Sequence, residues 1–273
     1  MAAIDPMHQF LIHKVVALPP VPTPLGPLDM SITNSVAAML TAALVISTFF
    51  MLSARRQIVP GRLQSLGESL YTLIDGTLVG PMIGPKGVPY IPFVFTIFMM
   101  VLTMNLMGLV LGLFNLGGLE LTFTPTAQLA VTATLALLTF VSVVVIGFLK
   151  NGLGMYKLFV PSGVPWPMLF LLVPLEFISF MVRPLTLAMR LFGNMLGGHV
   201  VMNIFASFVV GLGLFALNTG GIATLGLLGS GVSLGMVVAL TGLELVVAGL
   251  QAFVFAALAC VYLNEVLNLG HGH

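Results

Sequence analysis

This sequence predicts an all-α polytopic membrane protein with one interfacial amphipathic helix, three transmembrane spans and a long, strongly tilted C-terminal helical hairpin. Three observations lead there. Of 273 residues, 59% are hydrophobic and only 6% charged, whereas an ordinary soluble domain carries about 25% charged residues. Apolar runs long enough to cross a hydrocarbon core of about 30 Å recur along the chain. The last two of these runs far exceed the length of a single crossing.

The chain reads as a single membrane domain, 1–273. Residues 1–30 end in LPPVPTPLGPLDM, a proline-rich extended entry, and they contain Asp5, His8, His13 and Lys14 with no continuous apolar core. A cleavable signal peptide is therefore not expected. Span 1 covers 31–54 and stops at Arg55, Arg56 and Arg62. Residues 62–80, RLQSLGESLYTLIDGTLVG, mix polar and apolar positions at helical spacing, as a helix lying in the interface does. The turn-rich PMIGPKGVPY leads to span 2, 91–114, in which Asn105 and Gly108 suit close helix packing. Span 3, 126–149, ends at Lys150, and Trp166 closes the following loop at the height of an interfacial aromatic.

Residues 168–217 and 222–268 flank the turn signal NTGG. Fifty residues of helix measure about 75 Å, more than twice the hydrocarbon thickness. Either each run is two spans, or the pair is a steeply tilted hairpin. LFGNMLGG is a poor loop signal, which favours the hairpin. Arg55, Arg56, Arg62, Lys86, Lys150 and Lys157 all fall in loops on one side. The positive-inside rule makes those loops cytoplasmic, with the N terminus outside and the C terminus in the cytoplasm.

Several functions drop out. Nine Lys/Arg against eight Asp/Glu leave no basic patch for nucleic acid. A single cysteine, Cys260, makes neither an internal disulfide nor a cysteine metal cluster. No phosphate-binding loop, metal-ligand set or cofactor motif is found, and the terminal GHGH has no further ligands beside it.

What remains is the stretch Glu176 to His199, EFISFMVRPLTLAMRLFGNMLGGH. Charge at bilayer depth costs roughly 2.5–3.5 kcal/mol per arginine on insertion scales, so such residues face partners or water and mark ion paths. Glu176, Arg183 and Arg190 follow one another at intervals of seven, which returns each to nearly the same helix face, and Asn194 extends the stripe by one turn. His199 falls on roughly the opposite side, about 13 Å along the axis from Arg190. The plain alternative is a set of polar pairs joining helices, or an arginine snorkelling to the interface, and Arg183 is the candidate for that.

PLTLAMRLFGNMLGGH, followed by LELVVAGLQAFVFAALACVYL, resembles subunit a of the F-type ATP synthase, and NLMGL in span 2 fits the same family. The resemblance covers most of the chain and is weakest in residues 1–30. It implies a tilted hairpin beside a rotating ring of c subunits, each with a mid-membrane carboxyl group. It also implies peripheral-stalk b subunits and other synthase subunits as partners, and a bacterial inner membrane rather than a mitochondrial one. The chain would have no active site of its own, and would serve as the proton-transporting membrane component.

By that resemblance Arg190 is the essential ring-facing charge and Gln251 the glutamine near it. Asn194, His199 and Glu244 correspond to the outer half-channel and Glu176 to the inner one, with Tyr262 at a further polar position. Many bacterial members have an acid where this chain has His199 and a histidine where it has Glu244. The exchange keeps the pair if the two helices touch, and leaves open which member takes the proton first. The physics is compatible: a guanidinium cannot release its proton, but it favours the ionised form of a carboxylate brought beside it. Imidazole changes protonation at ordinary pH and suits a relay. Two other readings compete, a secondary transporter with a buried charged-solute site and a structural membrane scaffold.

Overall fold

The computed structural model describes residues 14–17, 19, 21–23, 26–28, 31–54, 60–114, 124–160, 166–219 and 225–268. Arg55, Arg56, the connection around Glu120 and the terminal GHGH lie outside them. Helix dominates, and five helices are long and apolar enough to cross a membrane.

The entry segment is the exception to an all-helical chain. Strand β1 (Lys14–Val16) pairs antiparallel with β4 (Ile32–Thr33), and β2 (Val21–Thr23) with β3 (Gly26–Leu28) in the register Val21↔Leu28, Pro22↔Pro27 and Thr23↔Gly26. Proline fixes φ and cannot continue a helix, so a proline-rich stretch finds its backbone partners in short extended pairs.

Helix α1 (Asn34–Ser53) opens on Asn34, whose side-chain oxygen accepts the Ser35 amide at 3.0 Å and supplies a partner to an otherwise orphaned donor. Helix α2 (Arg62–Ile74) is the amphipathic segment, and only Gly67 and Ile74 are buried in it. The regular helix stops short of residue 80. Residues Asp75–Val79 widen into a π turn before α3 (Gly80–Ile83), which ends at Gly84 with φ +75. Glycine alone enters that left-handed conformation without a steric cost. Helix α4 (Ile91–Phe114) follows, then α5 (Leu129–Asn151) behind a short 3-10 turn at Pro125–Ala127. The last two helices are continuous: α6 (Trp166–Thr219, 54 residues) and α7 (Leu225–Leu267, 43 residues). At about 1.5 Å per residue they measure roughly 80 and 65 Å. Pro174 and Pro184 both lie inside α6.

By packing, the chain divides into two compact units. One comprises Met1–Thr41, Met104–Gln128 and Leu191–Leu250; the other comprises Ala42–Thr103, Leu129–Arg190 and Gln251–His273. In the first, Ala127, Met195 and Ala248 form a small buried cluster flanked by Leu106 and Val247. In the second, the buried face of α7 runs through Ala252, Phe255, Ala256, Ala259, Cys260, Leu263 and Val266. This is the three-to-four spacing of a single helix side.

Small residues set the close approaches of the second unit. A Cβ on Gly147 would lie 2.5 Å from Met155 Sδ and 2.6 Å from Val266 Cγ1. One turn on, Asn151 Nδ2 donates to the Val266 carbonyl at 2.8 Å. The end of α5 is thereby tied to the end of α7. Phe50, Phe95 and Tyr71 stack edge to face, joining α1, α4 and α2. Gly147→Val is expected to destabilise the protein by about 1–3 kcal/mol through overpacking, measured as a lowered melting temperature in detergent; an unchanged temperature would contradict this account of the α5–α7 contact.

Candidate functional site

Two polar clusters are built into the apolar helices, one in each unit. In the first unit, His199 of α6 and Glu244 of α7 are both buried, with Nε2 3.4 Å from Oε1. The Thr124 hydroxyl, just ahead of the 3-10 turn, lies closer to the same nitrogen, at 2.8 Å. Two glycines make room. A Cβ on Gly198 would stand 3.1 Å from Glu244 Oε1, and one on Gly108 of α4 would fall 1.8 Å from Thr124 Oγ1. Asn105, one turn before Gly108, donates from Nδ2 to the Ala248 carbonyl at 3.2 Å, joining α4 to α7 one turn beyond Glu244. At the start of α1, Ser35 Oγ donates to Gln128 Oε1 at 2.5 Å. Hydroxyl, imidazole, carboxylate and amide groups thus gather where hydrocarbon alone would exclude them, and each needs a partner to offset its desolvation.

In the second unit, Arg183 is ion-paired with Glu265 of α7, and its other amino group stands 4.0 Å from Glu176. Its guanidinium also lies over the rings of Tyr262 at 5.3 Å and Phe180 at 5.6 Å. Stacking and a carboxylate fork suit the flat, weakly hydrated arginine head. The seven-residue spacing from Glu176 to Arg183 does bring those two near one another, but Glu265 from the neighbouring helix takes the tighter position.

Arg190 differs. It is exposed on α6 beside the buried Leu187, Ala188 and Leu191, and among the described residues it has no hydrogen bond or ion pair. Asn194, a turn further along α6, is also exposed, whereas Gln251 is buried on α7. His199, Glu244 and Thr124 are brought together, as are Arg183, Glu265, Glu176 and Tyr262. Sequence reasoning missed Thr124 and Glu265. Glu265 could have been found, since it follows Tyr262 by three positions on the last helix and supplies the acid that Arg183 needs. Thr124 carries no such signal, because a threonine in a loop is commonplace.

The fold and these clusters define a polytopic helical membrane protein with ionisable side chains held inside its long spans. A family model for the ATP synthase A chain matches residues 35–264. The chain is 45% identical over 269 residues to the ATP synthase subunit a of Rhodopseudomonas palustris strain BisB18, covering 98% of this chain and all of the relative. To the subunit a of Mesorhizobium japonicum it is 45% identical, with 98% of each chain covered. To that of Nitrobacter hamburgensis it is 43% identical over 268 residues, or 98% of this chain and all of the relative. The chain belongs to the ATP synthase A chain family.

Breaking the Arg183–Glu265 pair from one side leaves a partly buried charge unanswered, whereas removing both charges does not. Glu265→Leu and Arg183→Leu are each expected to cost about 1–2 kcal/mol, given their partial exposure. The double variant is expected to cost less than the sum. A thermal double-mutant cycle checks this, and simple additivity would show that the two side chains are not coupled.

Proposed function

We propose that this protein is the proton-translocating stator subunit of a rotary F-type ATP synthase, an integral membrane component that offers two offset half-channels to a ring of c subunits. The observation that carries the reading is the contrast between its arginines. Arg183 is matched by acids of its own chain, while Arg190 projects from an apolar helix and makes no hydrogen bond or ion pair among the described residues. A permanent cation in lipid requires a counter-charge, and the family supplies one in the mid-membrane carboxyl group of each c subunit.

The residues then take distinct parts. Arg190 favours the ionised form of a ring carboxylate as it passes. That favours release of a proton on approach and its recapture on departure. The same positive charge repels a proton trying to cross directly, so passage requires rotation. His199 and Glu244, with Asn194, serve the outer half-channel; Glu176, steadied by Arg183, serves the inner one; Gln251 assists near Arg190, and Tyr262 flanks the inner cluster. The lengths of α6 and α7 support a steep tilt, which spreads contacts with the ring along the hairpin. Loop charges support an N terminus outside and a C terminus in the cytoplasm. Other synthase subunits, including the peripheral-stalk b subunits, complete the set of partners.

In the assembled complex reconstituted into vesicles, Arg190→Ala is expected to abolish ATP-driven acidification, while Arg190→Cys forms a disulfide with a cysteine placed beside the ring carboxyl group. Full pumping by Arg190→Ala would sink the rotary reading. Solute uptake without ATP-linked proton flux would favour a secondary transporter instead.

A further inference from the structure

The contact at Thr124 goes beyond the pairing of acid and histidine. His199 Nε2 has a single outward direction, and two groups compete for it: the Thr124 hydroxyl at 2.8 Å and Glu244 Oε1 at 3.4 Å. Only the first is a well-formed hydrogen bond by distance. Glu244 Oε1 is buried and has no hydrogen bond among the described residues. Thr124 therefore holds the nitrogen from which a transfer to Glu244 starts.

The arrangement is built in. Thr124 caps the 3-10 turn, with its carbonyl accepting the Ala127 amide at 3.0 Å, and its own side chain is buried. On the far side it is seated against Gly108, where a Cβ would overlap its Oγ1 at 1.8 Å and its Cβ at 2.5 Å. No side chain fits at position 108 while Thr124 keeps this place. Two elements with no ionisable group at this point, α4 and the turn before α5, thus combine to put one hydroxyl on one imidazole.

We infer that Thr124 is a positioning residue of the outer proton path, whose hydroxyl holds His199 in one orientation and governs its exchange with Glu244. The inference rests on the proton-path reading above. A hydroxyl is suited to this because it both donates and accepts. While His199 is neutral with a bare Nε2, the Thr124 O–H donates to it. When a proton binds Nε2, the hydroxyl turns and accepts from the new N–H, so the imidazolium remains held. For transfer, this N–H swings from the hydroxyl to Glu244 Oε1; the N–H bond then breaks, its electron pair stays on Nε2, and the proton bonds to the carboxylate oxygen to give the carboxylic acid. Thr124 then donates to the vacated nitrogen once more. The hydroxyl gives Nε2 a partner before and after the transfer, and the ring has only to turn between two acceptors that stand 2.8 and 3.4 Å from that nitrogen.

Thr124→Val keeps the shape and removes the hydroxyl, while Thr124→Ser keeps the hydroxyl and removes a methyl. Removing a hydrogen bond to a group that becomes charged costs enough for a fall of roughly fivefold or more in rate. In the reconstituted complex, ATP-driven acidification is expected to fall by that factor in Thr124→Val, and also in Gly108→Ala, which displaces the hydroxyl. Thr124→Ser is expected to stay within about twofold of the parent, since its hydroxyl makes the same bond. Equal pumping by Thr124→Val and the parent overturns the inference, and so does a Thr124→Ser as slow as Thr124→Val. If Thr124→Val does not assemble, 15N-histidine spectra of the parent chain in bilayers decide, since Nε2 of His199 must couple to a hydroxyl proton; absence of that coupling is again fatal. His199→Ala and Glu244→Gln separate the two levels. If they pump normally, the proton-path reading falls and this inference with it; if they are silent while Thr124→Val is normal, only the role of Thr124 falls.

Discussion

A charge surrounded by hydrocarbon must be answered by another group, and this chain answers its charges unequally. Arg183 receives Glu265, Glu176 and two aromatic rings; Glu244 receives His199. Arg190 has no hydrogen bond or ion pair among the described residues. On insertion scales an arginine at the centre of a bilayer costs about 2.5–3.5 kcal/mol. The proposed mechanism rests on that imbalance.

Much of the fold was legible from the sequence. The apolar runs gave the long helices because a span has to satisfy every backbone group internally, and helix is the local way to do so. Break residues were harder to weigh. LFGNMLGG is a poor loop signal despite its three glycines, and α6 continues through it; a Cβ at Gly193 or Gly197 would meet open space, and one at Gly198 would meet Glu244. The end of the amphipathic helix was also blurred, because a π turn at Asp75–Val79 retains helical periodicity in the letters while shifting the backbone. The strand pairs near the N terminus escaped notice, since prolines mark extended chain without naming what it pairs with.

Legibility of the candidate site followed a different rule. Residues costly to bury, such as Arg190 and Glu176, announced themselves against an apolar background, and the intervals of seven placed them on one helix face. Groups that answer charge from another element are harder to read this way: Glu265 stands out as an acid in an apolar helix, but no local spacing ties it to Arg183. Glu265 sits 82 positions from Arg183, and Thr124 sits 75 from His199. Their relevance arises from how helices pack, and packing between distant segments leaves little trace in local spacing. Glycine behaves similarly: Gly108 looked like a helix-contact residue, and its specific service is to leave space for one hydroxyl.

That empty space couples two positions far apart in the chain. Any bulk added at 108 requires Thr124 to move or to shrink, so the two positions are sterically linked. A lineage that enlarged the first would have to surrender the hydroxyl at the second and find another group to steady the imidazole. Paired variation at these positions would therefore move the hydroxyl off the imidazole while leaving the helices in place.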